Sequence, residues 1–77
     1  MSFQRSSRLQ RIDQLIRLKA TRSPKSFACR LGISEATLYR DIEYMKQLGA
    51  PICFDSYRDS YVYTQAGRFL MGFVEEE

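Results

Sequence analysis

Residues 23–42, SPKSFACRLGISEATLYRDI, hold two helix starts with one glycine between them. Ser23 offers a capping hydroxyl, and Pro24 takes the first helical position, where its missing N–H costs nothing. Gly32 closes that helix, because a helix end often passes through the left-handed region, which glycine enters without steric cost. Ser34 caps the next helix. Ala28 is small enough to let the two helices approach closely, and Ile33, the lone apolar residue of the connection, is placed to plug the space between them. Few arrangements of a short chain satisfy all of these constraints.

The flanking segments extend the pattern. Ser6 and Ser7 are candidate caps for a first helix over 8–20, in which Leu9, Ile12, Leu15, Ile16 and Lys19 follow the helical rhythm. That spacing leaves Arg8, Arg11 and Arg17 facing outward. The second helix spans 24–31, with Phe27, Ala28 and Leu31 on one face. The third spans 35–48, with a stripe of Leu38, Ile42, Met45 and Leu48. Its opposite face carries Ala36, Arg40, Glu43 and Gln47, flanked by Thr37 and Tyr44. Gly49 and Pro51 stop it.

The period then changes from helical to two. Strands are expected over 52–54 and 60–64, joined by a turn of Asx character from Asp55 to Asp59. Two strands alone are marginal, so packing on the helices or a third strand must support them. After the break at Ala66-Gly67, alternation of Phe69, Met71 and Phe73 predicts that third strand over 68–74. The fold class is mainly α with a small β-hairpin: a winged helix-turn-helix, three helices followed by a two- or three-stranded antiparallel wing, as a single domain over 1–77. In such a motif the second of the paired helices turns its outward face toward a major groove.

A chain of 77 residues has room for one small core, burying about 60% of its unfolded surface. With 44% hydrophobic and 13% aromatic residues it is globular and not disordered. Histidine is absent, which removes the commonest general base and metal ligand. There is no Gly-rich phosphate loop and no G-x-S-x-G, so the chain is not expected to be an enzyme or to carry a cofactor. Cys29 and Cys53 fit no metal spacing, and both are expected to be reduced residues in or near the core. No stretch approaches a membrane span and MSFQRSSR is no signal region, so the expected location is cytoplasmic. No small-molecule site is evident.

Charge is unevenly distributed. Up to Lys46, ten Lys and Arg oppose Asp13, Glu35, Asp41 and Glu43, a balance of +6. Beyond it, Arg58 and Arg68 oppose Asp55, Asp59 and Glu75 to Glu77, a balance of −3. A basic helical part suits a polyanionic partner, although a basic surface that is merely solvated gives the same count.

The run RLQRIDQLIRLKATRSPKSFACRLGISEATLYRDIEYMKQLGAPICFD resembles the N-terminal domain of the DeoR-like and WYL-domain bacterial transcriptional regulators. The shared pattern is carried by Ala28, Leu31, Gly32, Ser34, Thr37, Tyr39, Arg40, Asp41 and Ile42. Phe27 stands where Leu is usual and Ile33 where Val is usual. Leu48 to Ile52 repeats the family's passage into the wing. The resemblance covers about residues 8 to 63, and TLYRDI is its most specific part. Two features depart from it: the wing tip DSYRDS carries a single arginine, and members usually continue into a sensing or dimerising domain.

The resemblance implies that Ser34, Ala36, Thr37 and Arg40 face double-stranded DNA. The residue chemistry agrees: hydroxyls at a helix N-terminus suit phosphates, and arginine forks onto guanine O6 and N7. Tyr39 and Tyr44 are expected to reach phosphates from the flanks, Arg58 at the wing tip to reach a phosphate or the minor groove, and Lys25 is a candidate contact on the second helix. Each has a plainer reading. Ser34 serves at least equally well as an N-cap, and Arg40 could instead, as the lesser reading, pair with Glu35 or Glu43. Asp41 is expected to pair with a basic neighbour, and Tyr61 and Tyr63 to pack the wing on the core. Lys25 and Arg30 are either phosphate contacts or solvated charges. The expected function is sequence-specific double-stranded DNA binding in transcription regulation, as a homodimer whose contact is the apolar segment 68–74. The alternatives are a winged-helix protein-interaction module and, more weakly supported, a single-strand or RNA binder.

Overall fold

A computed structural model describes residues 2–70 and 73–75, with side chains described from 7 to 70. The elements are α1 (Ser2–Arg17), α2 (Pro24–Leu31), α3 (Glu35–Gln47), β1 (Ile52–Asp55), β2 (Ser60–Tyr63), β3 (Gly67–Phe69) and β4 (Phe73–Glu75). Three helices followed by a small antiparallel hairpin form the expected winged arrangement.

The helix-turn-helix is held by its local signals. Ser23 caps α2 by accepting from the Ser26 N–H at 3.2 Å, and Pro24 opens the helix. Gly32 lies at φ 71°, where its N–H meets the Cys29 carbonyl while the Ile33 N–H reaches back to Ala28. That double closure satisfies carbonyls the helix end would otherwise leave unpaired, and it directs Ile33 into contact with the core. Gly49, at φ 101°, closes α3 in the same way, with the Ala50 N–H on the Met45 carbonyl.

The core joins all three helices to the sheets. Leu9, Ile12, Leu15 and Ile16 come from α1, Phe27 and Ala28 from α2, and Leu38, Ile42 and Met45 from α3. Ala50, Ile52 and Phe69 complete it, with Tyr61 and Tyr63 packed on its edge as expected. β1 and β2 pair antiparallel from Ile52↔Tyr63 to Asp55↔Ser60. Between them Asp55 Oδ1 accepts from the Tyr57 and Arg58 N–H groups, the Asx turn read from sequence.

Several expectations are corrected. Helix α1 begins at Ser2, so Ser6 and Ser7 lie within it and are not its caps; serine costs only a few tenths of a kcal/mol inside a helix. It ends at Arg17, and Lys19 is exposed at φ 55°, outside the stripe. Leu48 forms the cap of α3 and is 40% exposed, because the chain leaves the core there. Cys29 is exposed on the face of α2 away from Phe27 and Ala28, while Cys53 is half-buried.

The segment 68–74 does not add a third strand to the wing. β3 and β4 pair with each other, Phe69↔Phe73, as a separate two-stranded sheet. Met71 and Gly72 of the expected strand, and Glu76 and Glu77 of the acidic end, lie outside the described residues. The reason is packing: β3 lies against α1, and Phe69 is buried at 4% exposure. Asp13, itself buried, anchors it by accepting the Phe69 N–H at 2.8 Å on Oδ1, the oxygen that also takes the Tyr63 hydroxyl at 2.7 Å. Arg17 binds the other oxygen at 2.9 Å.

Candidate nucleic-acid interface

The outward side of α3 is set by the side it buries. Leu38, Asp41, Ile42 and Met45 face inward, which leaves Ala36, Arg40, Glu43, Tyr44 and Gln47 exposed and Thr37 half-buried at the flank. Asp41 would oppose a phosphate if it pointed outward. It is instead 2% exposed and paired with Arg8, which contacts both carboxylate oxygens. Their hydrogen bond, less the penalty of burial, holds the Arg8 guanidinium above its ordinary pKa.

Three of the expected residues form one connected group. Ser34 caps α3 by accepting the Thr37 N–H at 3.1 Å, and its hydroxyl lies 3.0 Å from Thr37 Oγ1. Arg40 Nη2 donates to the same Thr37 oxygen at 3.3 Å. A hydroxyl that accepts from both neighbours keeps its own proton to donate. Among the described residues Arg40 therefore pairs with Thr37, not with Glu35 or Glu43, and most of its five N–H donors stay open. Ala36 lies exposed beside this group and presents no bulk.

The other expected residues are not part of it. The Tyr39 hydroxyl donates to Glu35 Oε1 at 3.1 Å, so it is already engaged. Tyr44 is 37% exposed on the opposite flank. Lys25 is exposed at the start of α2. Arg58 is exposed in the wing turn, 3.7 Å from Asp55, a surface pair that constrains it weakly. Arg30 donates to the Ala20 carbonyl at 2.8 Å, so it is not simply solvated. With Arg8 and Arg11 it lines a shallow basic depression beside Leu31 and Ile33.

Sequence reasoning missed one residue that positions the interface and one that is exposed beside it. Thr21, read as loop, is fully buried, and its Oγ1 accepts the Tyr61 N–H of β2 at 3.1 Å. The wing is thereby fastened to the loop after α1, with the Tyr61 ring on Phe27 at 6.2 Å and on Phe54 at 5.2 Å. No local signal marks Thr21; only its partner across the fold does. Tyr57, beside Arg58 in the wing turn, is 97% exposed, and its sequence context carries no signal of that.

A capped, steeply turned helix pair with a polar, arginine-bearing outer face and a fastened hairpin defines a winged helix-turn-helix protein. A family model described as an HTH domain matches residues 8–57, from α1 to the wing turn, and the chain belongs to that family, the HTH domain of DeoR- and WYL-type regulators. Membership suggests DNA binding and transcription regulation, and such domains are typically non-catalytic. No curated protein and no solved structure matches the chain. Among the described residues, no helix is long and apolar enough to cross a membrane.

Proposed function

We propose that this protein is a sequence-specific double-stranded DNA-binding transcriptional regulator that lays α3 in the major groove and acts as a cytoplasmic homodimer. The observation carrying this reading is the Ser34–Thr37–Arg40 group, which steers an otherwise open guanidinium along the exposed face of α3. Arg40 would fork onto guanine O6 and N7, and Ser34 and Thr37 would meet phosphate at the helix N-terminus. Ala36 admits close approach of the groove. Tyr44, Lys25 and Arg58 would add backbone contacts from the flank, from α2 and from the wing. Tyr39 does so only by giving up Glu35.

A single module of this size buries roughly 600–1,000 Å² on DNA, which favours two copies reading two half-sites. Phe69 is committed to its own core, and among the described side chains of the C-terminal segment Leu70 is exposed and apolar, open to a second copy. The competing reading, a protein-interaction module, draws on a wing with Phe54 of β1 and Tyr57 of the turn exposed beside a single arginine.

Duplex binding measured against salt, for wild type and Arg40→Ala, tests the proposal. Wild-type affinity is expected to fall steeply as salt rises, and the substitution to cost about 1–3 kcal/mol on a selected site. A flat salt response, or a variant that binds as wild type does, rejects it.

A further inference from the structure

Glu35 is the first residue of α3 and is exposed. An acid there is favoured by the helix dipole, but the dipole alone leaves the side chain mobile. Here Oε1 is held by the Tyr39 hydroxyl one turn on, at 3.1 Å. Tyr61 of the wing is near enough that, after burial, Tyr39 and the Glu35 charge raise its pKa. That hydrogen bond holds the carboxylate at the leading end of α3, near Tyr61, and among the described residues its second oxygen takes no hydrogen bond.

On a surface that meets phosphates, a fixed carboxylate repels the backbone and lowers general affinity. The helix dipole favours it in the free protein, so any gain on DNA must come from a donor on a base edge. Guanine offers two acceptors in the major groove and thymine one, and both repel it. Adenine offers its N6 amine beside the N7 acceptor, whereas cytosine offers its N4 amine alone. We infer that Glu35 is a specificity-determining residue that accepts from cytosine N4, and that Tyr39 is the positioning residue that aims it. This rests on the DNA-reading function proposed above. It gives α3 a discriminating acid in addition to its arginine, and it assigns the Tyr39 hydroxyl to aiming, not to phosphate binding.

Selection from a randomised duplex library, with wild type, Glu35→Gln and Tyr39→Phe, tests the inference. Wild type should fix a cytosine at one position of its site. Glutamine pairs with adenine N6 and N7, so Glu35→Gln should exchange that cytosine for adenine, a change of at least about tenfold in preference. Its affinity for unselected duplex at low salt should rise, because a negative charge is gone. Tyr39→Phe should blur that one position and leave the rest of the motif unchanged.

A Glu35→Gln protein that binds duplex and selects the wild-type motif overturns the inference and leaves the DNA-reading function standing. So does a folded Glu35→Gln protein that has lost all duplex binding, since removing a repulsive charge cannot do that. If Tyr39→Phe degrades every position equally, the positioning role fails. A wild-type protein that selects no sequence overturns both the inference and the function beneath it.

Discussion

Arg8 of α1 grips Asp41 of α3 with two nitrogens, Nε on Oδ2 and Nη2 on Oδ1, the latter at 3.2 Å. The contact spans 33 residues and fixes the rotation of α3 about its own axis. With Asp41 held inward, Ala36 and Arg40 are held outward, so the packing of α1 sets what the recognition face presents.

Removing Arg8 takes a counter-charge away from a buried carboxylate. Loss of one partner from a buried pair costs about 3–5 kcal/mol, and a solvent-exposed pair is worth far less. The Arg8 side chain is 27% exposed, so Arg8→Ala should lose about 1–3 kcal/mol. Urea unfolding measures this; a change below about 0.5 kcal/mol would show that the pair does not hold α3.

The contrast between what the sequence revealed and what it concealed follows from range. Ser23, Pro24, Gly32, Ser34 and Gly49 act on backbone groups within four residues of themselves, so the helix pair and the face of α3 were legible. Arg8–Asp41 joins groups far apart in the chain; a basic partner for Asp41 was foreseeable, but not which one. Asp13 and Thr21 serve strands that only the folded chain brings to them. Apolar alternation in 68–74 was real, but the chain reverses between Phe69 and Phe73, so it encodes two strands. Within the interface, Arg40 and Thr37 could be named from sequence. The bond from Tyr39 to Glu35 spans one helical turn, a range at which sequence spacing permits a pair without choosing it over phosphate.

The end of α1 is hidden in the sequence because a lysine stands where glycine usually does. Lys19 sits at φ 55°, with its N–H on the Ile16 carbonyl and the Ala20 N–H on Leu15. A side chain there costs roughly 1–2 kcal/mol, and glycine returns part of that gain as unfolded-state entropy. Lys19→Gly should therefore stabilise the fold by about 0.5–1 kcal/mol, while Lys19→Ala should give no gain. Melting temperatures of the two variants decide it.

Tyr63 predicts how stability depends on pH. Burial first, then the hydrogen bond and charge of Asp13, push its phenol well above the ordinary value, with Arg17 opposing. The unfolded chain releases that proton near pH 10, while the folded chain keeps it to higher pH. Above about pH 10 the unfolded state then binds fewer protons, so stability must fall as pH rises. One such group cannot give a slope steeper than about 1.4 kcal/mol per pH unit. Tyr63→Phe should be less stable at neutral pH, having lost a donor to a buried carboxylate, yet flatter between pH 9 and 11. Parallel urea titrations across that range are the check; equal slopes would contradict the assignment.

Thr21 offers a way to loosen the wing without touching α3. Its Oγ1 is the acceptor for the Tyr61 N–H, and the residue is fully buried. Valine matches its shape but accepts nothing, so Thr21→Val leaves a partly buried N–H unpaired at a cost of about 1–3 kcal/mol. The Tyr61 amide should exchange faster than in wild type, while the caps at Ser34 and Gly49, which depend only on local groups, keep α3 intact. On DNA the two effects separate. A looser wing should reduce affinity for all duplexes together, because the wing is proposed to touch backbone, and the base preference set by α3 should not change. Amide exchange at Tyr61 and sequence selection with the variant measure both halves. An altered motif would mean that the wing, through Tyr61, also positions the reading helix.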